Sequence, residues 1–269
     1  MRVGPTIAAL AITLTANGPR PVAAQIDYRN LDDHRPVGTE DAYPIERFAF
    51  ELVVPYQYEN GPSGDHLHVV APELSYGLFP NTQVGVELPL AVLEEDGGTD
   101  WGFGGPRLFA LYNFNTEGRI LPALALRSGV ALPIGDLGAE DAQVTIKGIA
   151  TRSWGLTRLH VNASVTLGRD AGRPIVDAEP GWALSLAADR TFLRQSLLLV
   201  GEVRLLEEAS EAPTEASAAL GIRYQLTPTL VFDAGVRRRL SADAGPDLGL
   251  TFGLSHAFAV AGLLPGGPR

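Results

Sequence analysis

The chain has no cysteine and a single methionine in 269 residues, which removes disulfides, thiol nucleophiles and cysteine-based zinc sites together. An excess of base is also missing. Twenty-one Lys and Arg against 31 Asp and Glu give a formal charge of −10, the wrong sign for a nucleic-acid footprint. No apolar run approaches the ~18 residues that a spanning helix needs, so a helical membrane protein is excluded. With 45% hydrophobic and only 19% charged residues, the chain is too apolar to be disordered. What it has in quantity is glycine and proline, 30 and 20 residues, above the usual shares of about 7% and 5%. Such material is rich in turns and poor in helix.

The first residues read Met1-Arg2, an apolar stretch from Val3 to Ala16, and Pro21-Val22-Ala23-Ala24-Gln25. Small residues at −3 and −1 relative to a cut after Ala24 fit a secretory signal peptide over 1–24. Its removal takes away Arg2 and Arg20 and no acid, moving the charge from −10 to −12.

From Glu46 onward apolar residues recur at every second position, the period of a strand with one greasy face. The first run holds Phe48, Phe50, Leu52, Val54, Tyr56 and Tyr58. Others follow at Leu74/Tyr76/Leu78, Val84 to Val92, Leu108 to Phe114, Leu124 to Leu132, Val144/Ile146, Leu159 to Leu167, Trp182 to Leu186, Leu197 to Leu205, Leu220 to Tyr224, Leu230 to Val236 and Leu248 to Phe258. That makes twelve runs. Short connections such as Phe79 to Thr82, Asn115 to Arg119, Trp154 to Thr157 and Asp189 to Arg194 alternate with longer acidic ones at Glu59 to Asp65, Glu94 to Trp101, Pro133 to Ala142, Arg169 to Pro180, Leu206 to Glu215 and Leu240 to Pro246. An even number of strands with short turns at one end and long loops at the other is the mark of an outer-membrane barrel with both termini in the periplasm.

Polarity gives an independent argument. The faces opposite the apolar ones carry Arg47, Glu51, Glu73, Glu87, Arg107, Arg127, Lys147, Glu202, Arg204, Arg223, Asp233, Arg237 and Asp247, seven basic and six acidic residues. Burying these thirteen charges in the core of a soluble sandwich would cost more than folding supplies. The sequence therefore predicts an all-β, transmembrane, antiparallel up-and-down barrel of about twelve strands over 46–258, preceded by an arm at 25–45 and followed by a tail at 259–269. Twelve strands at ~4.8 Å spacing and ~40° tilt give a backbone diameter of about 24 Å and a bore of at most ~10 Å. The arm is long enough to fold back into that bore.

Several stretches also carry a resemblance. His34 to Ala42, Gly102-Phe103-Gly104-Gly105, Ala131 to Asp136, Leu159-His160-Val161-Asn162, Leu220 to Pro228, Asp233-Ala234-Gly235 and Gly249 to Phe258 together resemble the outer-membrane transporter family called "MetA-pathway of phenol degradation". The resemblance spans roughly 34–258. It implies a β-barrel transporter linked to small, often aromatic compounds, and it supplies no catalytic residues. Two departures stand out: Gly105 occupies a position where the family often has an acid, and Phe258, the aromatic that the barrel assembly machinery would read, is followed by residues 259–269.

The candidate solute-binding residues are the lumen-facing Arg107, Arg127, His160, Asn162, Glu202, Arg204, Arg223, Asp233 and Arg237. Among these the ladder Glu202, Arg204, Arg223, Asp233 and Arg237 alternates in sign over neighbouring strands; mutual pairing inside the barrel is the simplest use of it, and a constriction that orients a solute is the functional one. His66 and His68, two apart, could face a metal, but no third ligand lies near them and rim histidines are the plainer reading. His160 and Ser164 sit about 13 Å apart along a strand, too far for a nucleophile and its base. No catalytic residue, metal or cofactor is expected. Acidic loop residues such as Glu94, Glu95, Asp96, Glu140, Asp141, Glu207, Glu208 and Glu211 would meet lipopolysaccharide through divalent cations, bias the mouth toward cations, or simply keep it solvated. The expected function is passive passage of small solutes, aromatic or hydrophobic ones included, across the outer membrane, with lipid, lipopolysaccharide, the assembly machinery and the solute as partners and no nucleic acid. The alternatives are a non-transporting barrel with structural or adhesive loops and, more remotely, a membrane-embedded hydrolase.

Overall fold

A computed structural model describes residues 26–95, 97–139, 141–168, 181–193, 196–207, 213–242, 244–260 and 263. The expected signal peptide, the loop acids Asp96, Glu140, Glu208 and Glu211, and most of the tail lie outside them.

Among the described residues, fifteen strands make one antiparallel sheet: β1 (Ala49–Asn60), β2 (His66–Val70), β3 (Glu73–Phe79), β4 (Thr82–Glu87), β5 (Leu90–Glu95), β6 (Gly98–Phe103), β7 (Arg107–Asn115), β8 (Ala123–Ala131), β9 (Gln143–Trp154), β10 (Thr157–Leu167), β11 (Trp182–Phe192), β12 (Leu197–Glu207), β13 (Glu215–Thr227), β14 (Leu230–Arg239) and β15 (Leu248–Ala259). Pairing of β1 with β15 over the full run from Ala49↔Ala259 to Asn60↔Leu248 closes the sheet on itself, so no edge is left along that seam.

The barrel is nevertheless twelve-stranded, because three of its staves are each broken in two. The breaks fall at Pro72 between β2 and β3, Pro89 between β4 and β5, and Pro106 between β6 and β7. Proline has no N–H to give to a ladder. Its carbonyl still accepts: Leu88 N–H reaches Pro72 O at 2.9 Å, Gly104 N–H reaches Pro89 O at 2.9 Å and Leu132 N–H reaches Pro106 O at 3.0 Å. Carbonyl acceptance keeps the staves joined across the breaks.

One expected loop is corrected here. Glu94 to Trp101 lies largely within the β5–β6 hairpin, which pairs Leu90↔Phe103 through Glu95↔Gly98, because the alternation resumes beyond Gly98 on a strand too short to register as a separate run. The connection after β8 turns back into the extracellular mouth. Leu137 N–H donates to Phe103 O at 3.1 Å, and the side chain is buried against Val69, Ala71 and Ala91. Gly105 permits this path: its φ is +87°, and a Cβ there would stand 2.5 Å from Leu132 O and 2.7 Å from Ile134 O. That is the local reason for glycine at this position.

The two faces are inverted relative to a soluble protein. Leu220 is 67% exposed while Arg223 and Asp233 are fully buried. Such a surface is stable only against lipid. Aromatic residues mark both boundaries of the lipid-facing band: Phe114 and Trp154 stand exposed toward the short-turn end, and Tyr56, Tyr58 and Trp101 toward the long-loop end, as in outer-membrane barrels generally. His66 and His68 belong to the second group, facing outward, with Nδ1 of each 2.9 and 2.8 Å from the hydroxyls of Tyr58 and Tyr56 respectively.

Candidate functional site: the lumen and its N-terminal arm

Residues 26–45 run inside the barrel. Ile26 is tied to the β13–β14 turn by its N–H to Pro228 O (3.1 Å) and by Gln225 Nε2 to its own carbonyl (3.2 Å). The arm rises from there, turns at Asp32 to Arg35, and descends to Ile45, whose N–H meets Gln83 Oε1 at 3.0 Å. Asp41 N–H to Leu31 O (3.1 Å) joins the two limbs. Ile26, Tyr28, Leu31 and Val37 pack on Ala187, Leu198, Val200, Ala219 and Val231 of the inner wall. The bore of ~10 Å inferred from strand number is therefore occupied by the chain itself: among the described residues, two spaces left inside the wall at the arm's level measure about 40 and 10 Å³. A vestibule of about 320 Å³ opens at the short-turn end between the two limbs of the arm.

Charged residues of the arm meet a wall of complementary sign. On one side Glu40 pairs with Arg127 (2.9 Å) and Lys147 (3.5 Å), Asp33 with Lys147 and, at 3.6 Å, with Arg127, and Asp41 with Arg158 (2.8 Å). Arg158 in turn binds Asp189 (2.7 Å). His160 lies between that carboxylate and Thr151, 3.0 Å from each, and Thr151 Oγ1 accepts the N–H of Ala42 at 3.0 Å. Opposite, Arg35 binds Asp233 (2.7 Å) and Asp32 (2.6 Å), and Arg223 reaches the same Asp32 at 2.7 Å. Burying so many charges is tolerable only because nearly every one faces a partner.

Polar side chains complete the fit. The Thr39 hydroxyl donates to Glu202 at 2.6 Å and lies 2.7 Å from the Ser185 hydroxyl. Asn113 Nδ2 donates to Ala42 O at 2.7 Å, and Thr251 Oγ1 to Pro36 O at 3.0 Å. At the mouth Tyr43 donates to Glu117 (3.4 Å). Burial alone would raise the Glu117 carboxyl, but the Ser153 amide and Arg152 outweigh it and hold it below the ordinary glutamate value.

The nine candidate residues divide by height. Arg127, His160, Asn162, Glu202, Arg223 and Asp233 surround the arm. Arg204 flanks it, for a Cβ on Gly38 would approach Arg204 Nη1 to 3.0 Å. Arg107 pairs across strands with Glu87 (3.2 Å), and Arg237 with Glu59 and, at 3.6 Å, Glu215, all of them wall residues. The expectation that the ladder pairs within itself is corrected. Arg223 and Asp233 stand directly opposite in register, yet each reaches instead for a residue of the arm. Arg47, assigned to the lumen face, sits exposed before β1 with its guanidinium 4.3 Å over the ring of Phe48. Conversely Arg158, outside the expected lumen set, and Asp189, placed in a short connection, are buried inside. Extending the period-two pattern back from Asn162 and His160 to Arg158 would have found the first.

No protein-family model and no curated protein sequence matches the chain. Among solved structures it is similar to the COG4313 outer membrane channel from Pseudomonas putida F1, with a TM-score of 0.61 and 14% identity over 85% of this chain and all of that one. A KdgM porin gives 0.53 and 12% over 77% and 99%, and a NanC porin 0.50 and 9% over 78% and 100%. These likenesses establish the fold, an outer-membrane β-barrel; the closed twelve-stranded barrel with its apolar outer face is that of a protein of the bacterial outer membrane.

Proposed function

We propose that the protein is an outer-membrane channel for passive passage of small solutes, kept closed by its own N-terminal arm. The arm filling the bore carries this reading: at least seven of its residues spend side-chain or backbone bonds on the lumen wall, so solute passes only when the arm shifts. Passage requires binding and release along the lumen and no covalent step. Arg127, His160, Asn162, Glu202, Arg223 and Asp233 would then meet solute on the path that the arm vacates, with Arg107, Arg204 and Arg237 bordering it.

Aromatic and hydrophobic solutes are the class that the resemblance to the phenol-degradation transporters implies.

Liposome swelling tests the reading. Purified protein should admit small neutral and aromatic solutes, at a rate that rises when the arm is loosened. Well-folded, heat-modifiable protein that gives no flux in any arm variant would favour a non-transporting barrel with structural loops.

A further inference from the structure

The turn of the arm rests in a hollow shaped by three glycines. Gly221, Gly235 and Gly253 lie on the inner faces of adjacent strands β13, β14 and β15, and Gly221 and Gly235 stand opposite in register. A Cβ on Gly221 would come 2.7 Å from Pro36 Cγ, one on Gly235 would strike the Pro36 carbonyl, and one on Gly253 would come 2.5 Å from Asp233 Oδ1 and 2.8 Å from Arg35 Nη1. The wall is bare of side chains where Arg35 and Pro36 sit.

Into that hollow point acceptors suited to a planar fork of N–H groups. Arg35 Nη1 donates to Asp233 Oδ2 (2.7 Å) and Ser255 Oγ (3.1 Å), and Nη2 to Asp32 Oδ2 (2.6 Å). Asp233 and Ser255 are fully buried, and Asp233 Oδ1 has no hydrogen-bond partner among the described residues. The carboxyl groups of Glu51 and Glu73 lie around the same guanidinium. When the arm withdraws it takes Arg35 and Asp32 with it, while Arg223 and, beside Glu73, Arg127 stay on the wall. Asp233, buried and with Oδ1 unpartnered among the described residues, then loses the cation it holds, and a buried carboxylate stripped of its partner demands another.

We propose that this hollow is a guanidinium-binding site in its own right, occupied in cis by Arg35, and that small cations bearing a guanidinium or amidine group compete for it and free the arm. The gating half of this statement rests on the function proposed above; the binding half does not. A free guanidinium has one advantage over Arg35: unconstrained by the arm, it can engage both oxygens of Asp233 in a parallel pair of bonds. An ammonium ion lacks that planar geometry.

The test uses the full chain with Arg35→Ala. Isothermal titration with ethylguanidinium should show binding that urea and ethylammonium do not match, weakened about ten- to a hundredfold when Asp233→Asn removes the charged acceptor. In liposomes Arg35→Ala should leak solute, and ethylguanidinium should slow the leak by refilling the hollow; in the unaltered protein, competing with Arg35, the same ion should speed it. Should Arg35→Ala fail to fold, Arg35→Lys and the unaltered protein carry the same titration. Equal binding of ethylguanidinium and ethylammonium, or binding indifferent to Asp233→Asn, overturns the site. Selective binding without any change in flux upholds the site and overturns the gating.

Discussion

Asn162 grips the backbone of Glu40 at both ends: its Oδ1 accepts from Glu40 N–H at 2.8 Å and its Nδ2 donates to Glu40 O at 2.9 Å. One wall side chain thus acts toward the arm as a neighbouring strand would. Replacing it by Ala removes both bonds without touching the arm's sequence, a loss of about 1–3 kcal/mol. Solute flux through Asn162→Ala in liposomes should rise several-fold while heat-modifiable migration stays unchanged. Unaltered flux would mean that this contact does not help hold the arm.

Gly235 leaves the least room for an added methyl group among the described glycines, because a Cβ there lands on the Pro36 carbonyl backbone, whereas its other close neighbour, the Thr251 hydroxyl at 2.6 Å, can rotate away. Gly235→Ala should leave the barrel intact and displace the turn of the arm. A Val37→Cys reporter, buried in the closed state and the sole thiol in the chain, should react with a maleimide markedly faster in the Gly235→Ala background. Equal labelling rates would place the arm elsewhere.

Arg158 bridges Asp41 of the arm and Asp189 of the wall. Arg158→Met leaves two buried carboxylates short of their cation and should cost about 3–5 kcal/mol, read as a lower denaturation midpoint. Adding Asp41→Asn should recover part of that loss, since the two changes share one contact and are not additive. Full additivity of the two would deny the pair.

Leu220, at the middle of β13, faces lipid. Leu220→Arg should destabilise the barrel in vesicles by about 2–4 kcal/mol, whereas the native Arg238, outward-facing at the end of β14, is placed near the water. A neutral effect at 220 would mean that this face does not lie in the hydrocarbon.

Much of the barrel was legible because the period-two alternation is a local signal, carried for example by Leu159, Val161, Ala163 and Val165 within one strand. Lumen charges such as Glu202, Arg223 and Asp233 were legible for the same reason. Their partners were not. Arg223 meets Asp32 across 191 positions and Arg35 meets Ser255 across 220, and nothing local in Asp32-Asp33-His34-Arg35 distinguishes a plug from a solvated linker. A glycine that interrupts alternation, as Gly98 does, reads as a loop although the strand pairing continues beyond it. Asp189 reads as part of a turn, and Arg158 escapes the lumen set, for a related reason: charged residues at strand ends look like turn residues until both neighbouring strands are known.

The absence of cysteine makes the central claim directly testable. The Thr39 and Ser185 hydroxyl oxygens lie 2.7 Å apart, one on the arm and one on β11, so Thr39→Cys with Ser185→Cys should form a disulfide that locks the arm in place. Oxidised protein should admit no solute in a swelling assay, and reduction should restore flux in the same liposomes. Flux that is equal in the oxidised and reduced states, with the cross-link verified, would contradict a channel closed by its own arm.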